Sequence, residues 1–167
     1  IEFALERLGA DSLDDCHIQM SCSRFGKPLS EVMDRILNDE SLEAFNEVCH
    51  AAAKIPDRDL DKFTAAVLYA NADTSCEVCR VAELMELFEY APGVRNTNNL
   101  GAWWLENKMD CSLPYEIDEF FDYAGYGESI VENNDGEFVE GLGFVCMEEG
   151  YTLEDVLQDT DQGMGGM

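Results

Sequence analysis

Few residues of this chain stand at spacings that chemistry requires. Cys76-Glu77-Val78-Cys79 has the CxxC spacing of half a zinc site or of a redox pair. A zinc site needs two further ligands, yet there is no second CxxC, and the only histidines are His17 and His50. Glu77 and Glu83 are close in sequence and would raise a thiol pKa, whereas a redox cysteine needs it lowered. The spacing therefore fits two turn-related cysteines on a helix that partly faces a core. Asp57, Asp59 and Asp61 resemble the start of an EF-hand loop, but Lys62 stands where that loop needs glycine and Leu68 where it needs glutamate. Carboxylates gathered at a helix N-terminus account for them. Trp103-Trp104 has the makings of a ligand platform, although one ring in the core and its neighbour at an edge is the ordinary arrangement. Acid–base catalysis needs two carboxylates in different environments, and in a chain this acidic nothing singles out a pair. There is no Ser/His/Asp or Cys/His spacing and no glycine-rich phosphate loop. The chain is expected to have no catalytic, cofactor-binding or metal-ligating residue and not to be an enzyme.

Charge is the feature that remains. The chain of 167 residues carries 36 acidic and 10 basic side chains, a net charge of −26. All ten cations lie between Arg7 and Lys108, so Met109–Met167 holds sixteen Asp and Glu and not one Lys or Arg. That stretch still carries Leu113, Ile117, Phe120, Phe121, Tyr123, Tyr126, Ile130, Val131, Phe138, Val139, Phe144 and Val145. A carboxylate-rich segment without aromatics would be a solvating tail; this one has the apolar surface to fold. A folded surface of one sign repels itself and loses stability by it, so its economical use is to bind something positive. Phosphates and anionic membranes would be repelled. The expected partner is a basic protein surface, with no nucleic acid and no membrane bound. The alternative, a solvated halophile-like coat, does not explain why the cations are confined to the first two thirds of the chain.

The elements that must position these charges follow from periodicity. Phe3, Leu5 and Leu8 before Gly9 suggest the end of a helix, and His17–Cys22 alternates as a strand. Gly26-Lys27-Pro28 breaks the pattern. From Pro28 to about Glu89 the chain reads as helical. Leu29, Val32, Met33, Ile36 and Leu37 form one stripe, and Leu42, Phe45, Val48, Cys49 and Ala52 a second, capped by Ser41. Leu60, Phe63, Ala66, Val67 and Ala70 form a third. Val78, Cys79, Ala82, Met85 and Leu87 form a fourth, capped by Ser75. Beyond Ala91-Pro92-Gly93, Asn98 is the expected cap of a short helix through Leu100, Trp103, Trp104 and Leu105, and Tyr115–Ala124 follows with a stripe of Ile117, Phe120, Phe121 and Ala124 and with Glu116, Asp118, Glu119 and Asp122 on its outer face. Asn133-Asn134-Asp135-Gly136 is a hairpin signal between strands Glu128–Glu132 and Glu137–Glu140, with Gly143–Met147 a third strand. Thr152–Asp155 resembles a capping box, and Gln162–Met167 is a Gly/Met tail. The expected fold class is α+β in three parts: residues 1–27 a partial N-terminal domain with a strand, 28–92 a small helical domain, and 93–167 an acidic domain of short helices and a three-stranded antiparallel sheet. No apolar run approaches the roughly 20 residues of a membrane span, and no signal peptide is visible. Seven cysteines at irregular spacing suggest reduced thiols and a cytoplasmic protein. The opening Ile1-Glu2-Phe3-Ala4-Leu5 reads as the middle of an element, which suggests that the native N-terminus lies upstream.

Asn99-Leu100-Gly101-Ala102-Trp103-Trp104-Leu105-Glu106-Asn107, then Leu113-Pro114, then Phe121-Asp122-Tyr123-Ala124-Gly125-Tyr126-Gly127 form an ordered series that resembles the ArdA-type antirestriction proteins. Ile55–Val67 resembles that family's central helical domain. The opening strand motif of the family is absent, and Glu128-Ser129 follows the Tyr-Gly where relatives often carry arginine. The resemblance implies an elongated homodimer that mimics B-DNA. It also implies a target, the DNA-binding groove of type I restriction–modification enzymes, and hence protection of mobile-element DNA. On this basis the candidate phosphate mimics are Asp110, Glu116, Asp118, Glu119, Asp122, Glu128, Glu132, Glu137 and Glu140. They would pair with the Lys and Arg that otherwise hold phosphates. An acidic adaptor or inhibitor of another basic DNA-binding protein, and a carboxylate-metal enzyme, are the competing classes.

Overall fold

The structure is a computed structural model that describes residues 25–158 together with Arg7 and Gly9. The strand expected at His17–Cys22, the helix end at Phe3–Leu8 (Arg7 apart) and the tail from Gln162 lie outside the described residues. The chain has the α+β fold class expected, with a three-stranded antiparallel sheet. Within residues 25–158 four α-helices come first: α1 Lys27–Asp39, α2 Leu42–Ala53, α3 Leu60–Tyr69 and α4 Ser75–Glu83. All five residues of the α1 stripe are buried, as the 3.6-residue period requires. Ser41 caps α2 by accepting from the Ala44 N–H. The cap of α4 is Thr74 and not Ser75; Thr74 and Glu77 bond reciprocally as a capping box. Ser75 is taken by a distant partner, its N–H and hydroxyl both donating to the Glu40 carboxylate at the end of α1.

The sheet is built differently from the expectation. Phe88–Pro92, read as the end of the helical region, is strand β1. Strands β2 Glu137–Val139 and β3 Gly143–Met147 form the hairpin, turning through Glu140-Gly141-Leu142 with Gly141 at φ +78°. The order is β1-β3-β2, so β3 is central, and Tyr90 pairs with Val145 while Phe138 pairs with Phe144. Glu128–Glu132 is not a strand. It lies within α7, Tyr123–Asn134, which follows α5 Thr97–Asn107 and the single turn α6 Tyr115–Asp118. The Asn-Asn-Asp-Gly signal is spent on stopping α7. Asp135 takes φ +48°, and the Gly136 N–H donates back to the Val131 carbonyl. A left-handed residue serves a helix C-terminus as well as a tight hairpin.

Every residue of β3 is buried because the strand is covered on both faces. Val145 and Met147 point with Phe88 into a core shared with α1–α4 and with Val156 of the last helix, α8 Leu153–Leu157. Phe144 and Cys146 point into a second core with Ala91, Val94, Leu100 and Ile130, flanked by Trp103, Trp104 and Tyr126. The period of two along one strand thus divides its side chains between two helical layers. The first core joins side chains on both sides of residue 92.

Helices α5 and α7 meet through glycine. Asn96, and not Asn98, caps α5 by accepting from the Asn99 N–H at 2.9 Å. A Cβ on Gly101 would lie 2.1 Å from the Tyr123 carbonyl oxygen, and one on Gly127 would lie 1.9 Å from the Thr97 carbonyl oxygen. Both would strike backbone, which cannot swing aside. Replacing glycine by alanine in a free helix would gain up to about 1 kcal/mol; here the clash outweighs it. Gly127→Ala and Gly101→Ala should each lower stability by about 1–3 kcal/mol. Urea unfolding checks this, and a midpoint at or above wild type for either variant would refute the contact.

Candidate functional site

Each of the nine candidate carboxylates is exposed. Asp110 sits at φ +46° just beyond α5, where the Met109 N–H still donates to the Trp104 carbonyl. Glu116 and Asp118 are on α6, and Glu119 ends it. Asp122 caps α7, accepting from the Gly125 N–H at 2.9 Å. Glu128 and Glu132 follow on α7, one turn apart, while Glu137 opens β2 and Glu140 stands in the hairpin turn.

A single helix over Tyr115–Ala124 would set Glu116, Asp118, Glu119 and Asp122 on the face opposite its apolar stripe, and the structure does not form that helix. α6 stops after one turn, and α7 starts afresh at Tyr123. The expected inner stripe divides accordingly. Phe121 stacks its edge against Tyr123 and Tyr126, with ring centroids 4.8 and 5.9 Å away. Ile117 is left 52% exposed and Phe120 82% exposed. Two of the nine carboxylates also have work within the fold. Asp122 is a cap, and Asp118 accepts from the Tyr123 hydroxyl, a bond that pushes the Tyr123 pKa up.

No basic side chain offsets this surface from within its own segment. Lys108, the last cation of the chain, pairs with Glu89 of β1 and lies 6.0 Å over the Trp104 ring. The last turn of α7 carries Glu132 and no basic residue. A carboxylate there opposes the helix dipole and costs about 0.3–1 kcal/mol at low salt. The Glu128–Glu132 pair at i,i+4 adds about 0.2–0.5 kcal/mol of repulsion. The helix is not tuned for its own stability on this side.

The described residues contain no group of three or more His, Cys, Asp and Glu placed to hold a metal. No helix among them is long and apolar enough to cross a membrane. Cys76 is exposed and Cys79 half-buried, and burial first, then Glu47 and Glu83, pushes the Cys79 thiol up. Trp104 packs edge-on against Phe144, 6.4 Å between centroids, and Trp103 sits beside it half-buried, so the pair flanks the second core. The segment Asn99–Asn107 and the Asp122–Gly127 element that carry the antirestriction resemblance form α5 and the start of α7. Their glycines therefore serve the crossing of those helices. Periodicity alone gives Gly101 and Gly127 no role, although a glycine inside a helical pattern is a signal of close packing. The helical stripe expected at Ile117 and Phe120 would bury both, and both are exposed. Compared with protein-family models, with curated proteins and with solved structures, the chain matches none.

Burial raises the Cys146 thiol to about 12, and burial with the nearby Asp135 raises the Tyr69 phenol to about 12. In both cases the native state favours the neutral acid, so this contribution is whole below the unfolded pKa values of 9.0 and 10.0 and is lost as pH climbs toward 12. The urea midpoint should therefore fall steadily above about pH 9, and Ellman's reagent should label exposed Cys111 in the native protein while Cys146 reacts only on unfolding. Rapid native labelling of Cys146 would contradict this burial.

Proposed function

We propose that this protein is an acidic decoy of the antirestriction class. It occupies the DNA-binding groove of a type I restriction–modification enzyme by imitating the charge of duplex DNA, without catalysis or cofactor. The observation that carries the proposal is the one-signed segment after Lys108: sixteen carboxylates in sequence, no cation among them, and all nine candidates open to solvent. Duplex DNA presents one negative charge per about 1.7 Å of its axis, and a groove lined with Lys and Arg to hold phosphates can accept carboxylates in their place. The self-repulsion left within α7 supports the same reading, because surface charge kept at the expense of stability is a mark of use. The enzyme class rests on the ordered resemblance of Asn99–Asn107, Leu113-Pro114 and Phe121–Gly127; charge by itself supports a basic DNA-binding protein as partner. A homodimer goes with that resemblance, and the seven irregularly spaced cysteines support a cytoplasmic setting.

Such attraction is spread over many exposed contacts, each worth about 0–1 kcal/mol. The useful variants avoid the carboxylates that hold the fold. Glu116, Glu119, Glu128 and Glu132 are exposed, whereas Asp118 and Asp122 are tied to Tyr123 and to the α7 cap. Glu119→Gln should leave inhibition of DNA cleavage nearly unchanged. Neutralising Glu116, Glu119, Glu128 and Glu132 together should weaken it by about tenfold or more and flatten its salt dependence, with the circular dichroism unchanged and the melting temperature equal or higher. If one single variant abolishes inhibition while the quadruple variant's other positions are silent, the surface is a focused site and the decoy reading fails.

A further inference from the structure

A charge decoy has no use for exposed aromatic rings, yet this surface displays them. Among the described residues the large apolar side chains left exposed are Met109, Tyr115, Ile117, Phe120 and Tyr151, and four of these five fall within Met109–Phe120. Solvent-exposed apolar residues are ordinary when scattered singly. Here they are gathered in one stretch, exposed throughout except for half-buried Leu113. The backbone is fixed all the same. The Ile117 and Asp118 N–H groups both donate to the Pro114 carbonyl, the Phe120 N–H donates to the Ile117 carbonyl, and Phe121 anchors the stretch against Tyr123 and Tyr126. Ile117 lies in α6 and Phe120 in the turn that follows it, and the Phe120 N–H bond to the Ile117 carbonyl keeps the two close together. A preformed turn that offers an isoleucine and a phenylalanine to solvent loses little entropy when they are covered.

We infer that Met109–Phe120 is an apolar anchor, and that what covers it is a protein surface with an apolar depression rimmed by Lys and Arg. The choice of occupant rests on charge. Asp110, Glu116, Asp118 and Glu119 stand among the apolar residues, and no cation follows Lys108. A second copy meeting it patch on patch would set these carboxylates against their own images, and any other face of a chain with net charge −26 offers few cations; an anionic membrane or a nucleic acid would be repelled. A basic rim complements the carboxylates and steers the encounter, while the buried rings hold the complex. The inference rests on the reading of this acidic surface as the partner-binding face, and it adds a salt-resistant contact to the salt-sensitive one.

The test uses the full chain and the Ile117→Ser/Phe120→Ser variant, whose changed side chains are exposed. Two fluorescent peptides of equal positive charge serve as probes, one of Lys and Leu in an amphipathic-helix pattern, the other of Lys and Ser. Wild type should bind the Lys/Leu peptide about tenfold more tightly than the Lys/Ser peptide, and the double variant should lose that preference while binding the Lys/Ser peptide as before. Equal binding of both peptides by wild type, or a preference that survives in the double variant, would overturn the anchor. So would sedimentation showing a wild-type dimer that the double variant abolishes, since a second copy would then be the occupant. No DNA or restriction enzyme enters this assay. A failed anchor with inhibition of cleavage intact leaves the decoy standing, and an intact anchor without inhibition removes the decoy's target alone.

Discussion

The close crossing of α5 and α7 is the constraint on which the acidic half of the molecule depends. Two glycines let the backbones approach until a single added carbon on either would strike a carbonyl oxygen of the other helix. That contact presses Leu100 and Ile130 onto Phe144 and Cys146, closing the second core over one face of β3. It also sets the outward face of α7, on which Glu128 and Glu132 stand. Packing density here does what charge would undo. A surface without cations cannot be held together by ion pairs, so its stability must come from contacts that ionic repulsion does not reach.

The central strand links this half to the other. Because β3 sends alternate side chains into two cores, a change in either layer is felt by the same five residues. The basic residues are arranged to the same effect. Lys108, where the one-signed segment begins, is bound to Glu89 of β1 and lies over Trp104, and the cations that reach the segment beyond it come from earlier in the chain, Arg80 donating to the Gln158 carbonyl and Arg95 lining a pocket with Glu140. Fold and charge distribution are thus separated in space, an apolar interior carrying the stability and a solvent face free to carry the carboxylates.

Much of this was legible in the residues. The α1 stripe, the Ser41 cap and the Thr152 capping box follow from local rules, and the structure keeps them. Strand β1 was not legible because Phe88–Pro92 directly follows a helical stripe and is too short to declare a period of its own; its identity comes from pairing with β3, more than fifty residues later. The true cap of α4 was hidden because Ser75 is claimed by Glu40, 35 residues earlier. Asn133–Gly136 misled because a left-handed backbone serves a helix end as readily as a hairpin. For the candidate surface, exposure of the carboxylates could be expected from their chemistry. The exposure of Ile117 and Phe120 could not, since a helical stripe predicts burial and only the break after Asp118 removes it. The restriction enzyme as target comes from the resemblance and from no local rule.

The most direct measurement is displacement of DNA. A fluorescent duplex bound to the methyltransferase core of a type I restriction–modification enzyme is titrated with the full chain, and anisotropy is read at low and at moderate salt. A decoy for the DNA groove predicts complete release of the duplex at saturation, with an apparent affinity that rises as duplex concentration falls and that drops steeply between the two salt levels. A ternary complex in which duplex and protein bind together without mutual loss of affinity would contradict it.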